Sequence, residues 1–243
     1  MAEDFIHKRD GAVARITLNM RDKGNALSLG RATALGRLIG GYAADENVRT
    51  ILLRGAGAHF CRGRDRADDP KGKFKTVAEW RAALADPVLG LFNAVRNAPI
   101  PVVAAVTGLA NGLGCALASA CDVTIAAEDA QFGIPAMDQN RPPTLAMSGH
   151  FDRVPPKALQ WMVYTCRKLD ARAARDIGIV SHVVPPSALD AEVERTLAEM
   201  TKAGRDALIA VKTYVRESRL MTLRAAAELG GDIQAEFELG LES

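Results

Sequence analysis

Apolar positions along the chain follow two rhythms. Over residues 12–19 they alternate as Ala14, Ile16 and Leu18, the two-residue period of a strand with one buried face. A second run at 5–9 precedes it, and Asp10-Gly11 between them predicts a β-hairpin, since Asp-Gly accepts the positive φ of a tight turn. Helical spacing begins after Ser28, a residue suited to an N-cap, and runs to about residue 44. Strands are predicted at 50–54, 101–106, 122–127 and 131–133, with helices at 77–97 and 115–120. From residue 155 onward every signal is helical: 156–166, 171–177, 188–202, 206–217 and 220 to the end. Strands first and helices last predict a mixed α/β core over 1–187 and a helical C-terminal subdomain over 188–243.

Residues 97–121 carry no charged side chain, a run longer than the roughly 20 residues a bilayer needs. Pro99, Pro101, Gly108, Gly112 and Gly114 interrupt it, and a β-branched first half gives way to an Ala-rich second half. It therefore predicts a buried strand, a glycine turn and a buried helix, with no membrane span. The stretch 67–75, with Asp-Asp-Pro and alternating Lys71, Lys73 and Lys75, predicts a surface loop.

The overall charge balance advertises no polyionic partner. Lys and Arg number 31 against 29 Asp and Glu, and aromatics are 5%, which argues against a nucleic-acid surface. Residues 1–10 lack the basic-then-apolar layout of a signal peptide, so a cytoplasmic protein is expected. Cys61, Cys115, Cys121 and Cys166 are irregularly spaced, and His7, His59, His150 and His182 are isolated, so no metal site is expected.

The most suggestive unit is the strand 102–106 followed by Gly108-Leu109-Ala110-Asn111-Gly112-Leu113-Gly114 and a helix. A P-loop is excluded because no Gly-Lys-Ser/Thr follows, and Leu117 stands where a dinucleotide fingerprint needs Gly or Ala. Two readings stay open: an oxyanion hole built on the helix N-terminus, or a turn whose glycines serve only close packing.

Five segments, in order, resemble the crotonase superfamily, the enoyl-CoA hydratase/isomerase family. They are Ile16-Thr17-Leu18-Asn19 with Asn25-Ala26-Leu27-Ser28; Gly55-Ala56-Gly57-Ala58-His59-Phe60-Cys61-Arg62-Gly63-Arg64-Asp65; residues 101–122; Phe132-Gly133-Ile134-Pro135; and Ala174-Arg175-Asp176-Ile177-Gly178-Ile179-Val180 with Val183-Val184-Pro185. The resemblance implies a crotonase-like (ClpP/crotonase) spiral of ββα units with a helical C-terminal subdomain. It also implies an acyl-CoA thioester as partner, with coenzyme A entering as part of the substrate and no bound cofactor, and assembly as a homotrimer or dimer of trimers.

By the same resemblance, the backbone N–H groups of Arg64 and Leu113 are the two oxyanion donors. Asn25, Ala26, Leu27, Cys61, Arg62, Gly63, Arg64, Gly112 and Leu113 border the thioester and the coenzyme. Asp65 matches an acid read as structural. The two glutamates with which the family's hydratases move protons correspond to Ala116 and Ala136, and alanine neither takes nor gives a proton. Thr144 occupies a further position that some members fill with a carboxylate.

Asp138, two residues past Ala136, is the substitute acid these positions offer, against the reading of a solvated or Arg141-paired loop carboxylate. His59 and His150 are weaker candidates, and Asn111 and Asn140 are suited to orienting a water. The Arg64 side chain meets an anionic acyl group in one reading and pairs with Asp65 or another acid in the other. A crotonase-like enzyme is therefore expected, with a non-catalytic acyl-CoA-binding protein as the alternative.

Overall fold

The computed structural model describes residues 4–240. The predicted hairpin forms from β1 (Phe5–Asp10) and β2 (Val13–Leu18), with Gly11 at φ +58° in its turn. Helix α1 (Leu29–Ala44) is capped by the Ser28 hydroxyl, which accepts from the Arg31 N–H, and buries Ala32, Leu35, Ile39 and Ala43 along one face. β3 (Thr50–Gly55) follows.

The helix expected over 77–97 is divided into α2 (Val77–Trp80), a π turn (Arg81–Ala85) and α3 (Asp86–Asn97). Pro87 explains the break: it has no N–H for the carbonyl four residues back, and the Asp86 N–H bonds to Arg81 O across the wider turn.

The uncharged stretch is the centre of the molecule. It forms β4 (Val102–Val106), β5 (Leu109–Asn111) and α4 (Leu113–Ala120), and every residue of β4 and α4 is buried. β6 (Val123–Ala127) and β7 (Gln131–Gly133) come next, then a 3-10 turn (Pro135–Gln139), α5 (Thr144–Ser148) and α6 (Pro156–Thr165). The C-terminal part is not wholly helical. β8 (Leu169–Asp170) and β9 (His182–Val184) flank α7 (Ala171–Asp176), and both strands are too short for a two-residue period to show in sequence. The chain closes with α8 (Leu189–Met200), α9 (Arg205–Ser218) and α10 (Leu223–Leu239). Residues 241–243 of the predicted terminal helix lie outside the described residues.

The strands build two layers. A six-stranded sheet in the order β1-β2-β3-β4-β6-β9 is parallel apart from the hairpin, and a small sheet runs β5-β7-β8. Each turn of the chain gives one strand to each layer, β4 with β5 and then β6 with β7. Cys61 extends the small layer by a parallel bridge to Ala110.

Alternation along each strand divides the core. Ile51, Leu53, Val102, Ala104 and Val106 face α1, α3 and α4, while Leu52, Val103 and Ile125 face α8 through Leu189, Val193 and Leu197. α8 thus packs on the sheet itself, and the helices that stand clear of it are α9 and α10. α9 is pinned by Lys212, whose Nζ donates to Val95 O (3.0 Å) and Ile100 O (3.1 Å) and pairs with Asp122 (2.7 Å). No helix among the described residues is long and apolar enough to cross a membrane.

Candidate active site

Two loops meet where β4 ends. Asn25, fully buried and at φ +59°, holds the first in place: its Oδ1 accepts from the Met20 N–H (2.9 Å) and its Nδ2 donates to Ala56 O (3.0 Å) and His59 O (2.7 Å). Its side chain is committed to structure, leaving only backbone for a ligand. Ala26 is half-buried beside it.

Leu27 then pairs with the second loop as an isolated parallel bridge to Arg64. The Leu27 N–H donates to Gly63 O and the Asp65 N–H donates to Leu27 O, both at 2.9 Å. In such a pairing the residue between the two bonds turns its own N–H the other way, so the Arg64 amide is directed away from Leu27.

The glycine turn abuts this strip. Cys61 N–H donates to Leu109 O (3.1 Å) and Asn111 N–H donates to Cys61 O (2.9 Å). A Cβ on Gly114 would lie 2.1 Å from Cys61 O, so only glycine lets α4 begin so close to the 61–64 strand. Gly112 sits at φ +51° and ψ −114°, its N–H tied to Gly133 O (2.8 Å), and Leu113 is the first residue of α4. Helix geometry leaves the Leu113 N–H without an intrahelical acceptor, at the positive end of eight aligned peptides. Gly63, at φ +114°, faces Asn111 O. The turn therefore serves close packing and leaves one helix-terminal amide without an intrahelical acceptor.

Side chains around the cradle are mostly spoken for. Burial pushes the Cys61 thiol up to about 12, which removes it as a nucleophile. Exposed Arg62 lies along Gly24, and its N–H donates to Gly24 O (2.9 Å). Asp65 bonds Lys23 (2.7 Å) and lies 3.6 Å from Arg31, contacts that hold its carboxyl below the ordinary range and give it a structural role. His59 Nδ1 accepts from the Leu109 N–H (3.2 Å) and so helps fix β5. The Arg64 guanidinium pairs with Asp69 (2.5 Å), the "another acid" of the two readings above, while its buried Nε has no hydrogen-bond partner among the described residues.

The two alanines lie one turn into α4 and in the 3-10 turn after β7. Ala116 is fully buried in α4, and the Gly149 backbone seals it so tightly that a Cβ on Gly149 would be 2.7 Å from the Ala116 Cβ. His150, next in the chain, lies on a turn after α5 and not on a helix. It is completely buried, neither ring nitrogen has a partner among the described residues, and burial followed by the Arg96 charge pushes it down to about 3. Ala136 is half-buried in the 3-10 turn, where its carbonyl accepts from the Arg141 N–H (3.1 Å). Asp138 is exposed on the same turn and lies against Cys166, whose thiol is raised first by burial and then by that carboxylate. Thr144 opens α5 and is exposed. A cavity of about 500 Å³ lies elsewhere, between α9 and the α3–β4 connection.

The comparisons with known proteins decide what this arrangement belongs to. The family model described as enoyl-CoA hydratase/isomerase matches residues 8–238. The chain belongs to the enoyl-CoA hydratase/isomerase family.

A probable enoyl-CoA hydratase of Rhizobium meliloti (strain 1021) is 33% identical over 222 residues, covering 91% of this chain and 84% of that protein. Among solved structures, the enoyl-CoA hydratase of Mycobacterium smegmatis superposes with a TM-score of 0.89 at 28% identity, covering 96% of this chain and 90% of that one. Pseudomonas aeruginosa AtuE gives 0.88 at 30%, covering 96% and 91%. These superpositions establish the crotonase fold. Sequence reading named the Arg64 side chain as one that pairs with an acid, but not its partner Asp69, which lies outside the matched motifs and is marked by no local signal.

Proposed function

We propose that the chain binds an acyl-CoA thioester with its carbonyl oxygen between the amides of Arg64 and Leu113, and that these donors stabilise an enolate formed at the α-carbon. The observation that supports this reading is the close approach of α4 to the 61–64 strand through Gly114, with the Arg64 amide directed away from Leu27 and the Leu113 amide left without an intrahelical acceptor. One such donor is worth about 2.7–4 kcal/mol of transition-state stabilisation in a dry site. Coenzyme A would lie along the backbone of Asn25, Ala26, Leu27, Cys61, Arg62 and Gly63, as in the family resemblance, and enters as substrate.

Hydration by two glutamates is unavailable to Ala116 and Ala136. Proton transfer is assigned in this reading to Asp138, carried on the same turn as Ala136. Asp138→Asn is then expected to lower kcat/KM about 10²- to 10⁴-fold, and an unchanged value removes Asp138 from the mechanism.

The second reading, a non-catalytic acyl-CoA-binding protein, is favoured by the same two alanines. Assay across enoyl-, dienoyl- and malonyl-type CoA thioesters separates the two. Turnover of one supports the enzyme, tight binding without turnover supports the binder, and no binding removes both. A second and third copy of the chain are the proposed cover for the α9–α10 pair, where Leu220 and Leu223 are 90% and 89% exposed.

A further inference from the structure

The cavity of about 500 Å³ between α9 and the α3–β4 connection belongs to no part of the site described above, and its volume is that of a small-molecule pocket. One wall is a stripe along α9. Leu208, Val211, Val215 and the C-capping Arg219 follow one another at steps of three or four residues and so share a helix face. Val211 and Val215 are 65% and 43% exposed, so apolar surface on this stripe faces solvent. Tyr214, which packs on Gly230 of α10, lies off the stripe, and no residue of α10 lines the cavity.

The floor is charged and rich in donors. Asp152, on the turn after α5, takes Arg96 on one oxygen and Arg219 on the other. Asp122, just past α4, takes Lys212 (2.7 Å), the Val102 N–H (2.8 Å) and Arg153 (3.5 Å). Arg216 on the same face of α9 is matched by Glu217 (3.0 Å). Four cations thus contact two carboxylates whose oxygens are already taken. Arg153 is the least satisfied of the four: its carboxylate contact is long, and its buried Nε has no hydrogen-bond partner among the described residues. A guanidinium carries five donors and no acceptor, so this floor holds more N–H groups than oxygens to receive them.

We propose that this cavity binds a free straight-chain monocarboxylate, with its head group at the Arg153 and Arg219 end and its alkyl tail along Val215, Val211 and Leu208. Asp152 and Arg153 are consecutive, so the carboxylate that Arg219 contacts and the under-satisfied guanidinium are neighbours at that end. Leu208 and Val215 lie two turns apart, about 10 Å along the axis at roughly 1.5 Å per residue, on the order of an eight-carbon chain. A neutral amphiphile leaves the surplus positive charge unmatched, and a short anion leaves the two valines exposed. The site is separate from the cradle and does not depend on acyl-CoA binding there.

The test is isothermal titration of the protein with octanoate, 1-octanol and acetate. Octanoate is expected to bind saturably and about tenfold or more tighter than 1-octanol, with the gap narrowing as salt rises. Acetate should show no saturation over the same range. Arg219→Gln should narrow the gap, and Val215→Glu, which sets a like charge in the path of the tail, should abolish octanoate binding; both positions are exposed, so the fold is retained. Because the cradle is proposed to take acyl chains, the titration is repeated with saturating octanoyl-CoA. Octanoate binding that persists supports this cavity, and binding that is displaced overturns the assignment. Equal affinity for 1-octanol, unchanged affinity in Val215→Glu, or no saturable binding at all, as when a second copy of the chain fills the groove, overturns it too.

Discussion

Two regions of the candidate site are built from different material. On one side the 61–64 strand and the start of α4 present backbone amides, held by Asn25, the Leu27–Arg64 bridge and the Gly114 contact. Elsewhere, at Ala116 and Ala136, the side chains carry no group that can take or give a proton. A backbone amide is available at Arg64 and Leu113 whatever their side chains are, because the N–H does not depend on the side chain. A general acid is a side chain and nothing else, so one substitution removes it. The difference is that a backbone arrangement survives changes of side chain, whereas side-chain chemistry does not.

Attacking the cradle through its tightest contact should have the largest effect. Gly114→Val drives a side chain into the Cys61 carbonyl, and a loss of more than about 3 kcal/mol of stability is expected, read as a fall in denaturation midpoint together with loss of acyl-CoA binding. Retention of both would show that the two loops are not locked together.

Next comes the buried face of α4. Ala116→Glu places a carboxylate against the Gly149 backbone in a fully buried position, and we expect about 2–4 kcal/mol of destabilisation without recovery of hydratase activity. A well-folded, hydrating variant would mean that this wall is an emptied active site and not core.

His150 sharpens the same point through pH. Its folded value, about 3, lies below the unfolded value of 6.5. The unfolded chain therefore takes up the proton first, and stability present above pH 6.5 is lost as pH falls toward 3. The limiting slope is about 1.4 kcal/mol per pH unit. His150→Leu should flatten the acid side of a pH–stability profile; an unaltered profile would place His150 in contact with water. The smallest effect is expected at half-buried Ala136, where Ala136→Glu should change stability by no more than about 0.5 kcal/mol, measured as a shift in melting temperature.

Legibility followed the range of the interactions. The hairpin, the Ser28 cap and the buried 97–121 unit rest on contacts between chain neighbours, and they were readable in residues 5–54 and 97–121. β8 and β9 were not, because strands of two or three residues exist only by pairing with β7 and β6. The π turn before Pro87 was hidden in an otherwise helical pattern. At the site, Asn25, Gly63 and Gly112 stood out as members of motifs. The sharing of Asp69 by Arg64 and Arg66 did not, nor did the sealing of Ala116 by Gly149.

By itself the sequence determined the alternating strands, the capped helices, the glycine turn and the absence of a carboxylate at positions 116 and 136. These depend on local backbone preference and on which atoms a side chain possesses. Only the tertiary structure decided that the Gly114 and Cys61 backbones touch, that His150 is buried, that Asp138 leans on Cys166, and that Arg64 and Arg66 share Asp69. Those outcomes are set by packing between segments far apart in the chain, where burial and charge are properties of the assembled neighbourhood and not of any residue read alone.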